Sequence, residues 1–400
     1  MRLAPLPRTL ALAALAVVSA LPLQAQTLVV RARRMLDVER GTMLPDAVVV
    51  VEGDRIARVG GGVPPGAEVV DLGDVTLLPG LMDAHTHLTV DIEGDWTNRD
   101  VKETAADAAL RGARNARRTV EAGFTTVRDV GSQGFADVAL EHAIEAGFVP
   151  GPRIIPAGHA IGITGGHCDI TGFAPGVVET SPAEGVADGP WEAVEAVRYQ
   201  VKHGARVVKI CATAGVLSFE GPVGAQQLSG EEMVAVVEEA HRHGLRVAAH
   251  AHGAEGILAA VRAGVTSIEH GSILTDEILD EMKERGTYLV PTQYVADAID
   301  LPSLPPPIRA KAEYVLPLMK ESFRRAVAAG VKVAFGTDAG VFPHGDNARE
   351  LAVYVERGGM SPLEAIRSAT MATADLFGVD DRGRIAEGLL ADLIAVEGNP

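Results

Sequence analysis

One stretch of the sequence decides the fold: Leu78-Pro-Gly-Leu-Met-Asp-Ala-His-Thr-His87. It begins apolar and ends polar, which indicates a buried strand that carries polar side chains to one end of a sheet. Alternate side chains of a strand lie on the same face, so His85 and His87 can bind one metal ion together. A His-x-His pair alone has modest specificity, because paired histidines on a strand can also simply face solvent.

Beyond this stretch, short aliphatic runs alternate with helical patterns. The predicted strands cover residues 76–82, 125–128, 153–155, 207–210, 246–249, 266–268, 288–290 and 331–335. Helices are predicted at residues 104–122, 192–203, 230–243, 255–263, 310–329 and 362–377. This succession predicts an α/β fold with a (β/α)8 TIM-like barrel. A doubly wound sheet is disfavoured, because no glycine-rich dinucleotide-binding motif follows the first strand.

Strand patterns also occur at both ends of the chain. Residues 27–30, 47–52, 55–59 and 68–71 alternate like short strands and are separated by glycine-rich turns. Similar patterns return at residues 383–386 and 391–396. We therefore predict a small β-sandwich domain built from residues 26–77 and 379–400, beside a barrel that covers residues 78–378.

Residues 1–25 have the pattern of a secretory signal peptide. An arginine-bearing start is followed by an apolar run over residues 10–21 and by small residues that end at Ala25. Cleavage is expected after Ala25, with Ala20 as the alternative. A membrane anchor is disfavoured, because the run is shorter than the roughly 20 residues that span a bilayer. We expect export across the inner membrane to the periplasm, with no membrane attachment after cleavage.

Composition excludes several classes of protein. Of 400 residues, 47% are hydrophobic and 22% are charged, which is typical of a folded chain with a sizeable core. The net charge of −17 repels phosphate backbones, so we expect no nucleic-acid partner. The cysteines, Cys168 and Cys211, are too few for a disulfide-rich scaffold or a cysteine zinc site. Two unrelated free thiols are favoured over a disulfide between them, although export would permit one.

Four further polar residues stand at the ends of predicted strands. They are Lys209, His250, His270 and Asp338, each at the same end of its strand as the two histidines of the first strand. In barrels of this kind, the carboxyl ends of the strands form the face that carries the chemistry. Imidazoles and carboxylates are common ligands of divalent metal ions. The sequence therefore predicts a metal centre assembled from several strands.

These residues and their neighbours also carry a family resemblance. The run 78–87, with Ser267-Ile-Glu-His270, Phe335-Gly-Thr-Asp338 and Gly388-Leu-Leu-Ala-Asp-Leu, resembles the amidohydrolase superfamily over nearly the whole chain after residue 25. Within it, Thr164-Gly-Gly-His167, Val208-Lys209-Ile210 and His250-Ala-His-Gly253 are similar to the Xaa-Pro dipeptidase-like and ochratoxinase-like group. Members of that group hydrolyse amide bonds to a terminal amino acid at a binuclear metal centre.

The resemblance implies a set of ligands for two divalent metal ions. The implied ligands are His85, His87 and Asp338 for the more buried ion, and His250 and His270 for the outer one. Lys209 would react with carbon dioxide and bridge the ions, because a carbamate supplies an anion where an ammonium would be repelled. Zinc is the favoured metal, with manganese or cobalt as alternatives.

The resemblance also implies roles in catalysis. A hydroxide shared by the two ions would attack the amide carbonyl, and Asp338 would take its proton and pass it to the leaving amine. His167 would stabilise the oxyanion. His252 and His344 are candidate substrate contacts, with a purely structural role open for each.

Three functions compete at this stage. The favoured one is a binuclear amidase or carboxypeptidase-like dipeptidase acting on a small acyl–amino acid or dipeptide, ochratoxin-type amides included. A mononuclear deaminase or cyclic-amide hydrolase of the same superfamily comes second, because such sites usually lack a bridging lysine like Lys209. A non-enzymatic periplasmic binding protein is disfavoured, since every ligand-type residue is retained. We expect a homo-oligomer, as is frequent in the group.

Overall fold

The computed structural model describes residues 27–92, 94 and 96–400, so the predicted signal peptide lies outside the described residues. The strands are β1 (Thr27–Asp37), β2 (Thr42–Glu52), β3 (Arg55–Val59), β4 (Glu68–Asp71), β5 (Val75–Pro79), β6 (Leu81–Thr86), β7 (Phe124–Asp129), β8 (Arg153–Pro156), β9 (Val208–Cys211), β10 (Val247–Ala251), β11 (Ser267–His270), β12 (Tyr288–Val290) and β13 (Leu393–Glu397). The helices are α1 (Ala105–Glu121), α2 (Ala136–Glu145), α3 (Pro190–Lys202), α4 (Gly230–Arg242), α5 (Ala254–Ala263), α6 (Asp276–Arg285), α7 (Val295–Ala298), α8 (Pro306–Ala329), α9 (Arg349–Gly358), α10 (Pro362–Arg367) and α11 (Thr373–Phe377).

Six of the strands form a separate sheet, in the order β13-β5-β1-β2-β3 with β4 beside β1. β1 and β2 form a long antiparallel ladder, and β13 pairs antiparallel with β5, so that the N-terminal strands and the C-terminal strand meet in one sheet. Val49, Ile56 and Leu77 belong to a buried cluster that serves this sheet alone. A β-rich unit built from both ends of the chain is thus confirmed, while its predicted residue boundaries stay a prediction.

The passage from this sheet to the barrel takes one residue, Gly80. We predicted a single strand over residues 76–82, but the structure divides it into β5 in the small sheet and β6 in the barrel. The Gly80 amide donates to the carbonyl of Asp392 (2.8 Å), whereas the Leu81 amide donates to Gly123 beside the barrel (3.0 Å). A Cβ at Gly80 would lie 2.1 Å from Oγ1 of Thr125, so only glycine permits this close approach.

The barrel consists of two parallel sheets joined by backbone hydrogen bonds. Strands β6, β7 and β8 form one sheet, and β9 to β12 form the other. Between them, the Ile161 amide donates to the Lys209 carbonyl and the Cys211 amide donates to that of Ile161, both at 2.8 Å. Parallel strands that alternate with helices confirm the predicted TIM-like class.

The barrel closes through a segment that is not a regular strand. We predicted a strand at residues 331–335, but only an isolated bridge forms there, with Leu289 of β12. The Ala334 amide donates to Leu289 (3.0 Å), while the carbonyl of Phe335 accepts from Ala84 of β6 (2.8 Å). The segment divides its hydrogen bonds between two neighbours, and neither ladder is therefore continuous.

A π-helical turn interrupts the last helix of the barrel. Residues 362–377, predicted as one helix, form α10 and α11 joined by the turn Ser368–Ala372. The Phe335 amide approaches both the carbonyl of Ser368 and the hydroxyl of Thr373, each at 3.1 Å. A carbonyl bound from outside the helix explains why the regular ladder widens at this point.

The main core lies between the barrel strands and the surrounding helices. Phe124 and Phe335 stack with 5.4 Å between ring centroids, and Tyr354 of α9 packs against Phe335 at 5.5 Å. This packing fixes the strands below the ends that carry the polar residues. Among the described residues, no helix is both long enough and apolar enough to cross a membrane.

Gly80→Ala should destabilise the protein without removing any polar contact. We expect a loss of about 1–3 kcal/mol in the free energy of unfolding, because the Thr125 side chain has to move to make room. Gly62→Ala is the matched control, since no atom lies within 4 Å of its Cβ position. Urea unfolding followed by circular dichroism measures both variants, and equal midpoints would contradict the close approach at Gly80.

Candidate metal centre

Two groups of ligand-type side chains lie at the carboxyl ends of the barrel strands. One consists of His85, His87 and Asp338, and the other of His250, His252 and His270. Within each group, one possible ligand atom from every residue lies within 4.8 Å of the others. The sequence prediction assigned His252 to the substrate, whereas the structure places its ring beside the predicted outer ligands.

The first group surrounds a carboxylate oxygen. Nε2 of His85 lies 3.5 Å from Oδ1 of Asp338, and Nε2 of His87 lies 3.6 Å from the same oxygen. On the other side of each ring, Nδ1 of His85 donates to Glu269 (2.8 Å) and Nδ1 of His87 donates to the carbonyl of Gly131 (3.1 Å). These outer bonds leave both Nε2 lone pairs directed at one point, as in a metal site.

The second group contains a buried nitrogen without a partner. Nδ1 of His270 shares a hydrogen bond with Thr292 (2.8 Å), and Nδ1 of His252 shares one with Ser272 (2.7 Å). Nε2 of His250 is buried and has no hydrogen-bond partner among the described residues. An unsatisfied buried nitrogen destabilises a fold by about 1–3 kcal/mol. A metal ion would satisfy it, so this donor set fits a divalent cation.

Burial keeps the histidines neutral, which is the form that binds metals. Burial is the largest cause that lowers the pKa of His87 to about 3, and the nearby Lys209 ammonium lowers it further. The pKa of His250 and that of His270 are also well below the ordinary range, again chiefly through burial. At neutral pH these rings are therefore electron-pair donors rather than cations.

Lys209 lies on β9 and its residue is only 3% exposed. Burial lowers the pKa of Lys209 to about 8, while the carboxylates of Glu269 and Asp338 oppose that shift. Burial raises the pKa of Asp338 to about 7, and the Lys209 charge partly offsets the rise. The amine and the carboxyl group thus share one dry environment at the barrel mouth.

The backbone is strained at the site. Asp338, His270 and Thr292 have φ angles of 63°, 69° and 47°, in the left-handed region that residues with a Cβ seldom adopt. Such conformations cost of order 1–3 kcal/mol each and persist where the surroundings hold them. Here they turn the ligand side chains away from the strand direction and into the barrel mouth.

An ion pair beneath the ligands was missed by the sequence analysis. Glu269 is fully buried and accepts from His85 through one oxygen and from Arg128 through the other, both at 2.8 Å. Arg128 also donates to the carbonyl of Ala84 (2.6 Å). The sequence did contain features that could have revealed this ion pair, because Glu269 stands inside the motif Ser267-Ile-Glu-His270 and Arg128 ends a predicted strand.

A second support, also missed, joins the two chain segments of the first group. Asp83 accepts from the hydroxyl of Thr337 (2.6 Å), from the side-chain amide of Asn347 (2.8 Å) and from the His85 amide (3.0 Å). These bonds fix the end of β6 against the segment that carries Asp338.

The remaining predicted site residues take two different positions. His167 lines the cavity, and its ring centroid lies 4.2 Å from that of His250. His344 lies behind the site, where its Nε2 is 3.2 Å from the carbonyl of His87 and 3.3 Å from that of Val90. Its side chain is buried below the loop that follows β6, and this geometry supports a structural role instead of a substrate contact.

Cys168 and Cys211 form a disulfide, with 5.9 Å between their Cα atoms. The prediction of two free thiols is therefore wrong. The sequence separates these cysteines by 43 residues, but β8 and β9 are neighbours, and the loop that follows β8 folds back over β9. The bridge ties the loop of His167 to the strand of Lys209.

The ligands open into a cavity of about 800 Å³. Three loops contribute to its lining, through residues 89–92, through Val216 and Leu217, and through Val295 and Ile299. Apolar side chains form part of the lining; they include Trp96, Val216, Leu217, Ile299, Leu316 and Met319. The site thus combines a polar floor with an apolar wall, as small-molecule sites do.

Metal-ligand groups at the strand ends of a TIM-like barrel, inside a deep cavity, define a class: metal-dependent hydrolases of the barrel type. Residues 76–400 match the amidohydrolase family, and the chain belongs to that family. The family generally uses divalent metals.

Similar proteins refine this assignment. Ochratoxinase from Aspergillus niger is 38% identical over 345 residues, which cover 81% of this chain and 70% of that protein. Its crystal structure has a TM-score of 0.83 and 34% identity, covering 94% of this chain and 91% of that chain. A Xaa-Pro dipeptidase with methionine bound in its active site has a TM-score of 0.88 and 40% identity, covering 94% of each chain.

A prolidase complexed with N-methylphosphonate-L-proline is similar as well, with a TM-score of 0.85 and 34% identity over 94% of this chain and 93% of that chain. The predicted resemblance to the ochratoxinase- and prolidase-like group is confirmed. The protein is a hydrolase that acts on amide bonds, and a non-enzymatic binding protein is excluded.

Glu269→Gln should weaken metal binding while leaving every direct metal ligand in place. The neutral amide cannot balance Arg128 or hold the Nδ1 proton of His85 as firmly, so we expect affinity for Zn²⁺ to fall about 10–100-fold. Glu284→Gln, at an exposed position of α6, is the control. Competition with a fluorescent chelator measures both, and unchanged affinity in Glu269→Gln would show that the ion pair does not support the site.

Proposed function

We propose that the protein is a binuclear metal-dependent amidohydrolase that cleaves the amide bond of a small acyl–amino acid or dipeptide. The position of Lys209 carries the proposal. Burial is the largest cause of the lowered pKa values of His87 in one group and His270 in the other. The charge of Lys209 is a further cause in both cases. Lys209 also lines the cavity together with both groups of ligand-type side chains, which supports a role as a bridge between two metal ions.

Charge balance supports carboxylation of Lys209. Two divalent ions beside a buried ammonium would repel it, and burial removes the water that could screen them. In the proposed reaction the amine nitrogen attacks the carbon of carbon dioxide, an N–C bond forms and one proton is released. The product would be a carbamate, whose negative charge and two oxygens would suit a ligand shared by two metal ions.

Zinc is the proposed metal, because imidazoles dominate the donor set. When bound, the ions would supply a water molecule that loses its proton near neutral pH and a positive charge that polarises the amide carbonyl. His85, His87 and Asp338 would hold the more buried ion, and His250 and His270 the outer one. His252 can add a further nitrogen or contact the substrate.

The protein's own residues would move the protons. Asp338 lines the cavity beside the other ligands, and its carboxylate would accept a proton from the water and deliver it to the departing amine. His167 lines the same cavity and would donate a hydrogen bond from Nε2 as negative charge develops on the carbonyl oxygen.

The cavity wall favours an apolar group in the substrate. Leu217, Leu316 and Met319 face the space above the ligands, and burying a large aliphatic or aromatic side chain there gains about 1.5–3 kcal/mol. A charged side chain packed against these three residues would lose hydration that apolar contacts cannot replace. We therefore propose amides of apolar amino acids as the substrate class.

We also propose that the protein works in the periplasm as a homo-oligomer. The pattern of residues 1–25 supports export, and disulfides such as Cys168–Cys211 persist in oxidising compartments. Exposed aromatic side chains, Phe148 and Trp191, supply apolar surface for contacts between subunits.

The activity is tested by amino-acid release from a mixed panel of dipeptides and N-acyl amino acids, with and without a chelator. We expect release that the chelator abolishes and zinc restores, faster for phenylalanine, leucine and methionine amides than for aspartate or lysine amides. If no compound of the panel releases an amino acid and purine or guanidine compounds release ammonia, the mononuclear deaminase would be favoured instead.

Lys209→Ala should remove the bridge between the two ions. We expect metal content to fall by about half or more, and turnover to fall more than about 100-fold, because one ion loses an anionic ligand. Lys320→Ala, on the exposed face of α8, is the matched control. Elemental analysis and the preferred substrate of the panel measure both effects. Full metal content with near-normal turnover would contradict the bridging role.

A further inference from the structure

A lysine outside the metal site holds one wall of the cavity in place. Lys311, in the second turn of α8, donates through Nζ to three backbone carbonyls of the loop after β9. The acceptors are Ser218 (2.8 Å), Glu220 (2.8 Å) and Gly215 (3.2 Å). An ammonium has three N–H donors, so this loop, residues 215–220, uses all of them.

The same loop holds the ring of His167. Oγ of Ser218 lies 2.7 Å from Nδ1 of His167 and donates to Oε1 of Glu220 (2.6 Å). That oxygen also accepts from the Gly215 amide (2.9 Å). Since the one hydroxyl proton of Ser218 goes to the carboxylate, the hydroxyl accepts from Nδ1–H of His167. The bond fixes the ring. Nε2 can then donate to an oxyanion when the imidazole carries both protons, a positive charge that the Glu220 carboxylate, 3.4 Å from Nδ1, would balance.

The carboxylate of Glu220 is suited to accept the hydrogen bonds of this loop. Burial raises its pKa, but the nearby His167 ring, with hydrogen bonds from the Ser218 hydroxyl and the Gly215 amide, outweighs burial and lowers that pKa to about 2. It is therefore an acceptor at any physiological pH. The ring also lies flat against the loop backbone, because a Cβ at Gly215 would come within 2.2 Å of Cε1 of His167.

The loop presents a second surface to the substrate. Val216 and Leu217 line the cavity and pack against a cluster of buried residues that includes Ala312, the neighbour of Lys311. Lys311 itself is not among the residues that line the cavity. A displacement of the loop would thus move both the apolar wall and the support of His167.

We propose that Lys311 is a positioning residue for amide hydrolysis: it fixes loop 215–220, through which Ser218 and Glu220 orient the ring of His167 toward the reacting carbonyl. This inference rests on the proposed function, because it assigns His167 to the stabilisation of the oxyanion. No covalent step involves Lys311, and its effect reaches the substrate only through the loop.

Lys311→Met in the zinc-loaded protein tests the proposal. The methionine keeps the length and apolar stem of the side chain but leaves three carbonyls without their donor. We expect kcat on the preferred amide to fall about 10–100-fold, with unchanged metal content. Lys320→Met, on the exposed face of the same helix, should match the wild type. Lys311→Arg should recover part of the loss, because a guanidinium still donates to the loop. Wild-type kcat in Lys311→Met would overturn the proposal.

A double-mutant cycle separates positioning from general destabilisation. In a His167→Asn background, Lys311→Met should lower kcat less than about threefold, because the group that it positions is gone. A full additional loss in that background would show that Lys311 acts by another route and would overturn the proposal.

A measurement without turnover separates this inference from the proposed function. Diethyl pyrocarbonate modifies exposed imidazoles, and peptide mapping reports the rate at His167 alone. We expect faster modification in Lys311→Met and in Ser218→Ala than in the wild type. If the wild-type protein hydrolyses no amide, the proposed function fails, whereas equal modification rates at His167 would refute the role of Lys311.

Discussion

The ion pair between Arg128 and Glu269 is the interaction on which the rest of the site depends. Both side chains are buried inside the barrel, where an unpaired charge would cost several kcal/mol, so each requires the other. Through its second oxygen, Glu269 fixes the proton on Nδ1 of His85 and so turns the Nε2 lone pair toward Asp338. Because the pair also contacts the Ala84 carbonyl and the hydroxyl of Ser267, it connects β6, β7 and β11 beneath the ligands. The metal centre is thus built on a network that is already neutral as a whole.

Around this network, burial is the main cause of the shifted pKa values of the ligand-type side chains. The same exclusion of water keeps the histidines neutral, raises the pKa of Asp338 to about 7 and lowers that of Lys209 to about 8. A cluster of this kind is poorly satisfied without cations, as the unpaired Nε2 of His250 illustrates. Stability and function therefore oppose each other at the barrel mouth. The left-handed φ angles of Asp338 and His270 also destabilise the fold while they serve the site.

Sequence reasoning reached the barrel and the metal-ligand residues because both follow from local pattern. Period-two alternation placed His85 and His87 on one face, and strand ends collected His250, His270 and Asp338. Sequence reasoning failed where the interacting residues come from segments far apart in the chain. Nothing near Cys168 indicates that its loop folds over β9, and nothing near Lys311 indicates that the loop 215–220 lies within its reach. The divided strand at Gly80 was missed for a similar reason, since the apolar run 76–82 is continuous although its two halves bury themselves in different cores.

The pairing of β13 with β5 has a consequence for how the protein is made. β5 is synthesised before every barrel strand, whereas its partner β13 is synthesised after all of them. Until then one edge of the small sheet exposes unpaired amides and carbonyls, which is the kind of edge that other chains can pair with. Contacts so distant along the chain also form slowly, because loop closure has to be overcome first. The small sheet is therefore completed only after every barrel strand has been synthesised.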